Sequence, residues 1–245
     1  MLAKRECVLI IAVTVFYLIN NFIWLSLTNY ACGHDEYPHL IIKLKIFTFL
    51  FVSPDLIGLK EFFAGNLWPP FYHSATAVLN LVLGTSYLAS AMVNMPYLII
   101  LLFSIYFIGL ILFDKNTGIF AAVLVSMYPM VFVYSRVYNP DFALTATVAL
   151  GICLLIYSNH FRNSKISILF GFVLGIGMLT KWTYILYLSG PFVYSLIHQI
   201  HLKKDEETHF KRRFFNTVIA VSVGFLICSF WYFLAFPVLY ERAVS

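Results

Sequence analysis

Long apolar segments separated by short polar ones make up most of the chain. A helix that crosses a bilayer needs about 20 apolar residues, within a range of about 17–25. Segments of roughly this length lie at 8–28, 89–113, 117–135, 142–158, 182–199 and 214–237. A shorter segment, 166–180, contains Gly171, Gly175 and Gly177, and small residues of this kind let helices pack closely in a membrane. The pattern predicts an all-α integral membrane protein with about seven transmembrane helices.

Two further apolar segments lie within the long loop 29–88 and are less suited to crossing a membrane. The segment 69–84 is short and begins with two prolines, which suit the first turn of a helix. The segment 37–52 is interrupted by Lys43 and Lys45. Both segments are predicted to be amphipathic interfacial helices in a long outer loop.

The basic residues predict the orientation of the chain. Seven spans that start from a cytoplasmic N-terminus place ten of the 16 Lys and Arg residues on the inner side: Lys4, Arg5, Lys115, Arg162, Lys165, Lys203, Lys204, Lys211, Arg212 and Arg213. The positive-inside rule favours this orientation. The loop 29–88 and the segments around Asp141 and Lys181 then face the outer, periplasmic or luminal side of a cell membrane.

Composition excludes most other classes of protein. The chain is 61% hydrophobic and 11% charged, with a mean hydropathy of +0.86, whereas soluble domains carry about 25% charged residues. A soluble globule, a disordered regulator and a coiled coil are therefore excluded. The net charge of +5 is spread over short loops, so no nucleic-acid partner is expected. The four cysteines lie far apart and form neither a disulfide framework nor a zinc spacing.

The first candidate for chemistry is the sequence His34-Asp35-Glu36-Tyr37-Pro38-His39, directly after the first span. Ionisable groups near membrane depth are costly unless they have partners. The carboxylates either form a solvated loop that caps the next helix or serve as a base or metal ligands. A divalent metal held by His34, Asp35, Glu36 and His39 is an alternative, although the H-E-x-x-H pattern of zinc proteases is absent.

Three more groups contain polar residues between apolar segments. Trp68-Pro69-Pro70-Phe71-Tyr72-His73 marks the start of a helix at the outer interface, with an aromatic belt. In the loop 135–141, Arg136 and Asp141 either pair with each other or serve a site, where Arg136 would present a planar fork to phosphate oxygens. Lys181 either extends its ammonium group towards water or contacts a phosphate.

These motifs, in this order along the chain and on the predicted outer side of the membrane, resemble those of a known family. D-E in the first outer loop, P-P-F-Y, N-P-D-F-A-L and G-I-G-M-L-T-K-W make residues 8–240 similar to the family 39 glycosyltransferases of the GT-C superfamily. This superfamily of integral-membrane enzymes includes protein O-mannosyltransferases and the aminoarabinose transferase that acts on lipid A. The resemblance implies a polyprenyl-phosphate sugar donor, a hydroxyl acceptor on a protein, lipid or glycan, and no cofactor.

The resemblance also implies roles for particular residues. Asp35 corresponds to the catalytic carboxylate, with Glu36 beside it and Asp141 at the same site. We expect Asp35 to act as the general base in an inverting transfer, because a phosphate leaving group needs no general acid. The residues expected to bind substrate are Arg136, Lys181, His39, Tyr72 and His73.

The chain is shorter than members of this family, which usually have eleven or more spans. Residues 1–245 are therefore predicted to form an N-terminal transmembrane module, incomplete at its C-terminus, that needs the missing part or a partner subunit. The transferred sugar is a hexose or a pentose. The alternatives to a transferase are a polytopic transporter or flippase, which would show polar residues at mid-membrane and an inverted repeat, and a non-catalytic subunit of a membrane complex.

Overall fold

All regular elements in the described part of the protein are α-helices. The computed structural model describes residues 4–28, 33, 35–54, 62, 68–202 and 207–244. Its helices are α1 (Lys4–Thr28), α2 (Glu36–Phe51), α3 (Phe71–Leu83), α4 (Tyr87–Ala91), α5 (Asn94–Leu112), α6 (Lys115–Met127), α7 (Pro129–Tyr134), α8 (Pro140–Tyr157), α9 (Ser164–Thr180), α10 (Tyr184–Leu202) and α11 (Glu207–Val244). The predicted all-α class is confirmed.

Four candidate spans are long and apolar enough to cross a bilayer. In the part of the chain that the structure describes, they are Val8–Thr28, Tyr87–Leu112, Pro140–Tyr157 and Phe210–Pro237. The helices α3, α6 and α9 are apolar but shorter. Because length and composition qualify only four helices, the total of seven spans stays a prediction.

The segment 117–135, which was predicted as one span, is not one continuous helix. Helix α6 ends at Met127, Tyr128 takes an extended conformation, and Pro129 begins the separate helix α7. Proline lacks the amide hydrogen that would continue a helix, and its ring pushes the preceding residue out of the helical region. The break turns the chain before it reaches the loop that carries Arg136.

Glycines set the closest helix contacts. Helices α9 and α11 pack against each other more extensively than any other described pair. A Cβ atom on Gly171 would overlap the carbonyl oxygen of Ala220, and one on Gly175 would lie 2.6 Å from Cβ of Ile227. The prediction that these glycines allow close packing is therefore confirmed.

The buried apolar residues form two main clusters that share α8. One cluster joins α1, α5, α6 and α8, and includes Leu25, Leu102, Tyr106 and Phe142. The other cluster joins the four helices α8, α9, α10 and α11, and it includes Phe161, Phe170 and Tyr184. Along α1 and α11, by contrast, many large apolar side chains are exposed, as expected for helices that contact lipid.

The ends of several helices meet at one face of the bundle. Helices α2 and α8 begin there, α9 ends there, and α3 packs against α2. This arrangement brings together the loops that hold the polar motifs of the sequence. We refer to this end as the site face.

Candidate active site

An ion pair between Asp141 and Lys181 joins two helix ends at the site face. Asp141 lies in the first turn of α8, after Pro140, and its amide donates to the Asn139 side chain at 2.9 Å. Lys181 follows the last residue of α9 and caps that helix through its amide. Its Nζ donates to Oδ1 of Asp141. The alternative in which Arg136 and Asp141 pair with each other is therefore wrong, because Asp141 has the Lys181 ammonium as its partner.

The His39 ring lies among the charges of this face. His39 is buried on α2, and burial lowers its pKa from 6.5 to about 4. The charges of Asp141 and Asp35 favour its protonated form, whereas the Lys181 charge opposes it. The pKa of the His39 imidazole thus responds to three charged residues that are far apart in sequence.

His39 is held by its own neighbours. Its Nδ1 lies 3.1 Å from Nε2 of His73, and the two rings stack with centroids 5.2 Å apart. The Trp68 ring contacts His39 edge-on at 5.0 Å. Since His73 and Trp68 come from the segment that begins α3, the Pro-rich motif of the sequence packs directly behind the site.

The two adjacent carboxylates have different surroundings. Glu36 is 1% exposed, and it accepts hydrogen bonds from the Gly33 amide at 2.7 Å, the Tyr138 amide at 3.0 Å and the Tyr87 hydroxyl. Asp35 is exposed at the N-cap of α2, and its side chain makes no capping hydrogen bond. Glu36 therefore joins the first loop to the loop before α8, while the Asp35 carboxylate faces solvent.

Arg136 links the loop before α8 to α1. Its Nε donates to Oδ1 of Asn21 at 2.7 Å, and its Nη2 donates to Oδ1 of Asn20. The guanidinium lies 3.6 Å over the Phe132 ring and 5.2 Å from the Trp24 ring. Two of its donor nitrogens are thus engaged within the protein, and phosphate binding by Arg136 stays a prediction.

Tyr72 supports the site from inside the bundle. It has no exposed surface, stacks on Tyr138 at 5.1 Å, and donates its hydroxyl to Oδ1 of Asn94 at 3.1 Å. Asn94 in turn donates to the carbonyl of Val137 at 2.7 Å. In this arrangement Tyr72 cannot contact a substrate directly, and it instead positions the loop before α8.

Sequence reasoning missed the asparagines that hold this loop. Asn20 and Asn21 bind Arg136, and Asn94 binds the carbonyl of Val137. The sequence did indicate them, because two adjacent asparagine side chains in an otherwise apolar span need hydrogen-bond partners inside the protein. The sequence could not show which residue provides them.

An apolar cavity lies beside the ion pair. Its volume is about 380 Å³, and Asp141 lines it together with Tyr128, Met130, Val131, Tyr134, Phe142 and Thr145. The carboxylate is at the edge of a largely hydrocarbon wall. Such a cavity suits a ligand with an apolar chain and one polar end.

The described residues contain no group of three or more side chains suited to hold a metal ion. His34, which belongs to the predicted metal ligands, lies outside the described residues. The divalent metal therefore stays an untested alternative.

Comparison with known proteins identifies the family. The family described as dolichyl-phosphate-mannose-protein mannosyltransferase matches residues 68–233, a range that contains Asp141 and Lys181 but begins after Asp35. Searches among curated proteins and among solved structures found no match. Since the matched range covers more than half of the chain, the protein belongs to this family of GT-C membrane glycosyltransferases, which use a lipid-linked sugar donor.

Proposed function

We propose that the protein transfers a sugar from a polyprenyl-phosphate donor to an acceptor hydroxyl at the outer face of the membrane, with inversion at the anomeric carbon. The observation that carries this proposal is the Asp141–Lys181 ion pair at the site face, where α2 also begins with the exposed Asp35. An apolar cavity adjoins the same pair. A cation, a carboxylate and a hydrocarbon-lined space are the features that a lipid-phosphate sugar donor requires.

Lys181 is the proposed ligand of the donor phosphate. Its side chain keeps 23% of its surface exposed while it pairs with Asp141, so the protein does not fully enclose it. Hydrogen bonds between an ammonium and a phosphate oxygen are charge-assisted and strong. The prenyl chain would then run along the apolar cavity beside Asp141, towards the lipid.

Asp35 is the proposed general base. Its carboxylate accepts the proton of the acceptor hydroxyl while the hydroxyl oxygen attacks the anomeric carbon. The bond between that carbon and the phosphate oxygen breaks, and its electron pair leaves with the phosphate. Lys181 stabilises the developing negative charge, which is the role of a preorganised cation in a site of low polarity.

Glu36 has a positioning role in this proposal. Its oxygens already accept from donors in two loops, so protonation by an acceptor would break contacts that hold those loops together. Asp35 has no capping hydrogen bond to lose. The surroundings of the two carboxylates therefore support Asp35 over Glu36 as the base.

Transfer can be tested with membranes that contain the full chain, supplied with radiolabelled polyprenyl-phosphate sugars. One donor carries a hexose and the other a pentose, and each is assayed with and without a candidate partner subunit. We expect labelled acceptor with one of the donors and at least a 100-fold lower rate for Asp35→Asn, which is within the usual range of about 10²–10⁴ for general-base catalysis. Full activity of Asp35→Asn would refute the assignment of the base.

Orientation needs a separate measurement. A non-permeant sugar acceptor is supplied either outside or inside sealed right-side-out vesicles. The proposal requires transfer to the external acceptor. Transfer only to the enclosed acceptor would place the site face on the cytoplasmic side.

A further inference from the structure

A second polar cavity lies at the end of the bundle opposite the site face. Helix α8 has 18 residues, with Asp141 in its first turn and Tyr157 at its end. At about 1.5 Å per residue, this helix is about 27 Å long, close to the thickness of a bilayer core. The second cavity is lined by residues just after α8, at the start of α9 and near the start of α11. It is therefore separate from the candidate active site and near the opposite membrane surface.

Three cationic side chains line this cavity, which we call the basic cleft. It has a volume of about 730 Å³, and Arg162, Lys165 and Arg212 lie in its wall with the polar residues Asn159 and Ser164. None of the described residues that line it is acidic. The first amides of α9 are already capped by the Asn163 side chain. The positive potential of the cleft thus comes from side chains rather than from the helix end.

The loop that carries Arg162 is held in an unusual backbone conformation. Asn159, His160 and Phe161 have φ values of 51°, 52° and 67°, which residues other than glycine rarely adopt. Contacts from two other helices keep the loop in place. Nδ1 of His160 lies 3.1 Å from Oγ of Ser195 on α10, and Nδ2 of Asn216 on α11 donates to the Phe161 carbonyl at 2.7 Å. Arg162 therefore extends from a fixed loop.

Exposed apolar residues begin one helical turn from these cations. On α9, Lys165 is followed by Ile168 and Leu169, which are both exposed. On α11, Arg212 is followed by Phe215, which is 64% exposed. Residues three or four apart lie on the same face of a helix. Each flanking helix thus presents a cation and, next to it towards mid-membrane, an apolar surface.

We propose that the basic cleft binds the phosphate group of an anionic phospholipid headgroup. Arg162, Lys165 and Arg212 contact the phosphate, and the acyl chains lie against the exposed apolar residues of α9 and α11. Basic pockets between transmembrane helices bind anionic headgroups because their positive charge lies at the level of the headgroups. A free phosphate would use the same cations but would gain nothing from the apolar surface.

The proposal can be tested with the full purified chain in detergent, by native mass spectrometry during titration with phosphatidylglycerol. Phosphatidylcholine, whose headgroup is neutral overall, and inorganic phosphate form the comparison arms. Each Lys or Arg near an anionic lipid surface contributes about a factor of five in affinity, so Arg212→Gln should weaken phosphatidylglycerol binding about fivefold. Substitution of Arg162, Lys165 and Arg212 together by Gln should weaken it roughly 100-fold.

Lys211→Gln is the matched control, because Lys211 is the exposed neighbour of Arg212 on α11 but does not line the cleft. It should leave the affinity unchanged. Equal losses of phosphatidylglycerol affinity for Lys211→Gln and Arg212→Gln would overturn the proposal. Binding would then depend on the diffuse positive charge of the surface rather than on the cleft. Phosphatidylcholine that binds as tightly as phosphatidylglycerol would also overturn it, as would inorganic phosphate that binds as tightly as the lipid. If Arg212→Gln reduces the yield of folded protein, Lys165→Gln provides the same test from an exposed position on α9.

Discussion

Substitution of Lys181 by Met separates the role of this residue in folding from its role in donor binding. The change removes the ammonium that pairs with Asp141 but keeps an unbranched apolar stem. The side chains of Lys181 and Asp141 keep 23% and 41% of their surface exposed, so solvent screens their attraction. Partly exposed ion pairs of this kind contribute about 0.2–1 kcal/mol to stability. We therefore expect the free energy of unfolding to fall by less than about 1 kcal/mol.

The expected effect on donor binding is larger. A hydrogen bond that involves charged groups contributes about 1.5–3 kcal/mol, which corresponds to roughly a 10- to 150-fold change in affinity. If Lys181 binds the donor phosphate, Lys181→Met should raise the KM for the polyprenyl-phosphate sugar by that factor. The thermal unfolding midpoint in detergent should change little.

Two control variants sharpen this measurement. Lys181→Arg keeps the positive charge and should retain most of the donor affinity. Lys115→Met removes a charge at the start of α6, away from the Asp141 pair, and should leave KM unchanged. An unchanged KM in Lys181→Met would refute the phosphate contact and leave Lys181 as a lysine that reaches towards water. A large fall in the amount of folded protein would show instead that the ion pair is structural.

Other predictions concern the carboxylates, the buried histidine and the packed glycine. Asp35→Asn should leave the unfolding midpoint unchanged while the transfer rate falls at least about 100-fold, and equal losses of stability and rate would contradict its role as a base. Glu36→Gln puts an amide NH₂ opposite buried donors, so it should destabilise the protein by about 1–3 kcal/mol in thermal unfolding, and wild-type stability would contradict the loop contacts. Burial lowers the pKa of His39 to about 4 in the folded protein, below the value of 6.5 expected when it is unfolded. The unfolded state then binds more protons, so this contribution to stability is present above pH 6.5 and is lost as the pH falls towards 4; unfolding midpoints measured between pH 7.5 and 4.5 should fall less in His39→Gln than in the wild type. Gly171→Val should reduce the yield of folded protein, because its side chain would overlap the Ala220 backbone, whereas Gly190→Ala, with no atom within 4 Å of the added Cβ, serves as the control.

Much of the site could be predicted from the order of motifs along the chain. Asp35, Asp141 and Lys181 each lie where an apolar segment begins or ends, and helices that cross a layer bring such positions to one of its two faces. The start of α8 at Pro140, two residues before the predicted segment 142–158, was also present in the local chemistry, because Asn139 and Pro140 suit the cap and first turn of a helix. The break at Pro129 was readable in the same way, but the apolar character of 117–135 led us to predict one helix.

The partners of the charged residues could not be read from the sequence. Asp141 has Arg136 five positions away and Lys181 forty positions away, yet it pairs with the distant one. Arg136 instead bonds to asparagines on α1 more than a hundred residues earlier. Which of two cations reaches a carboxylate depends on how α8, α9 and α1 pack, and that arrangement is a property of the assembled bundle.

The sequence alone determined the all-helical membrane class and the set of residues available for chemistry, because these depend on local hydropathy and residue type. Only the tertiary structure decided which helix faces meet and which polar groups bond across them. In water, an apolar stripe marks the buried face of a helix, but in a membrane the lipid-facing side is apolar as well. Hydrophobic periodicity therefore cannot distinguish Phe170, which is buried between helices, from Phe172, which is exposed. The different surroundings of the exposed Asp35 and the buried Glu36 also depend on the tertiary structure. The loop before α8 contacts Glu36 through the Tyr138 amide, whereas Asp35 stays exposed.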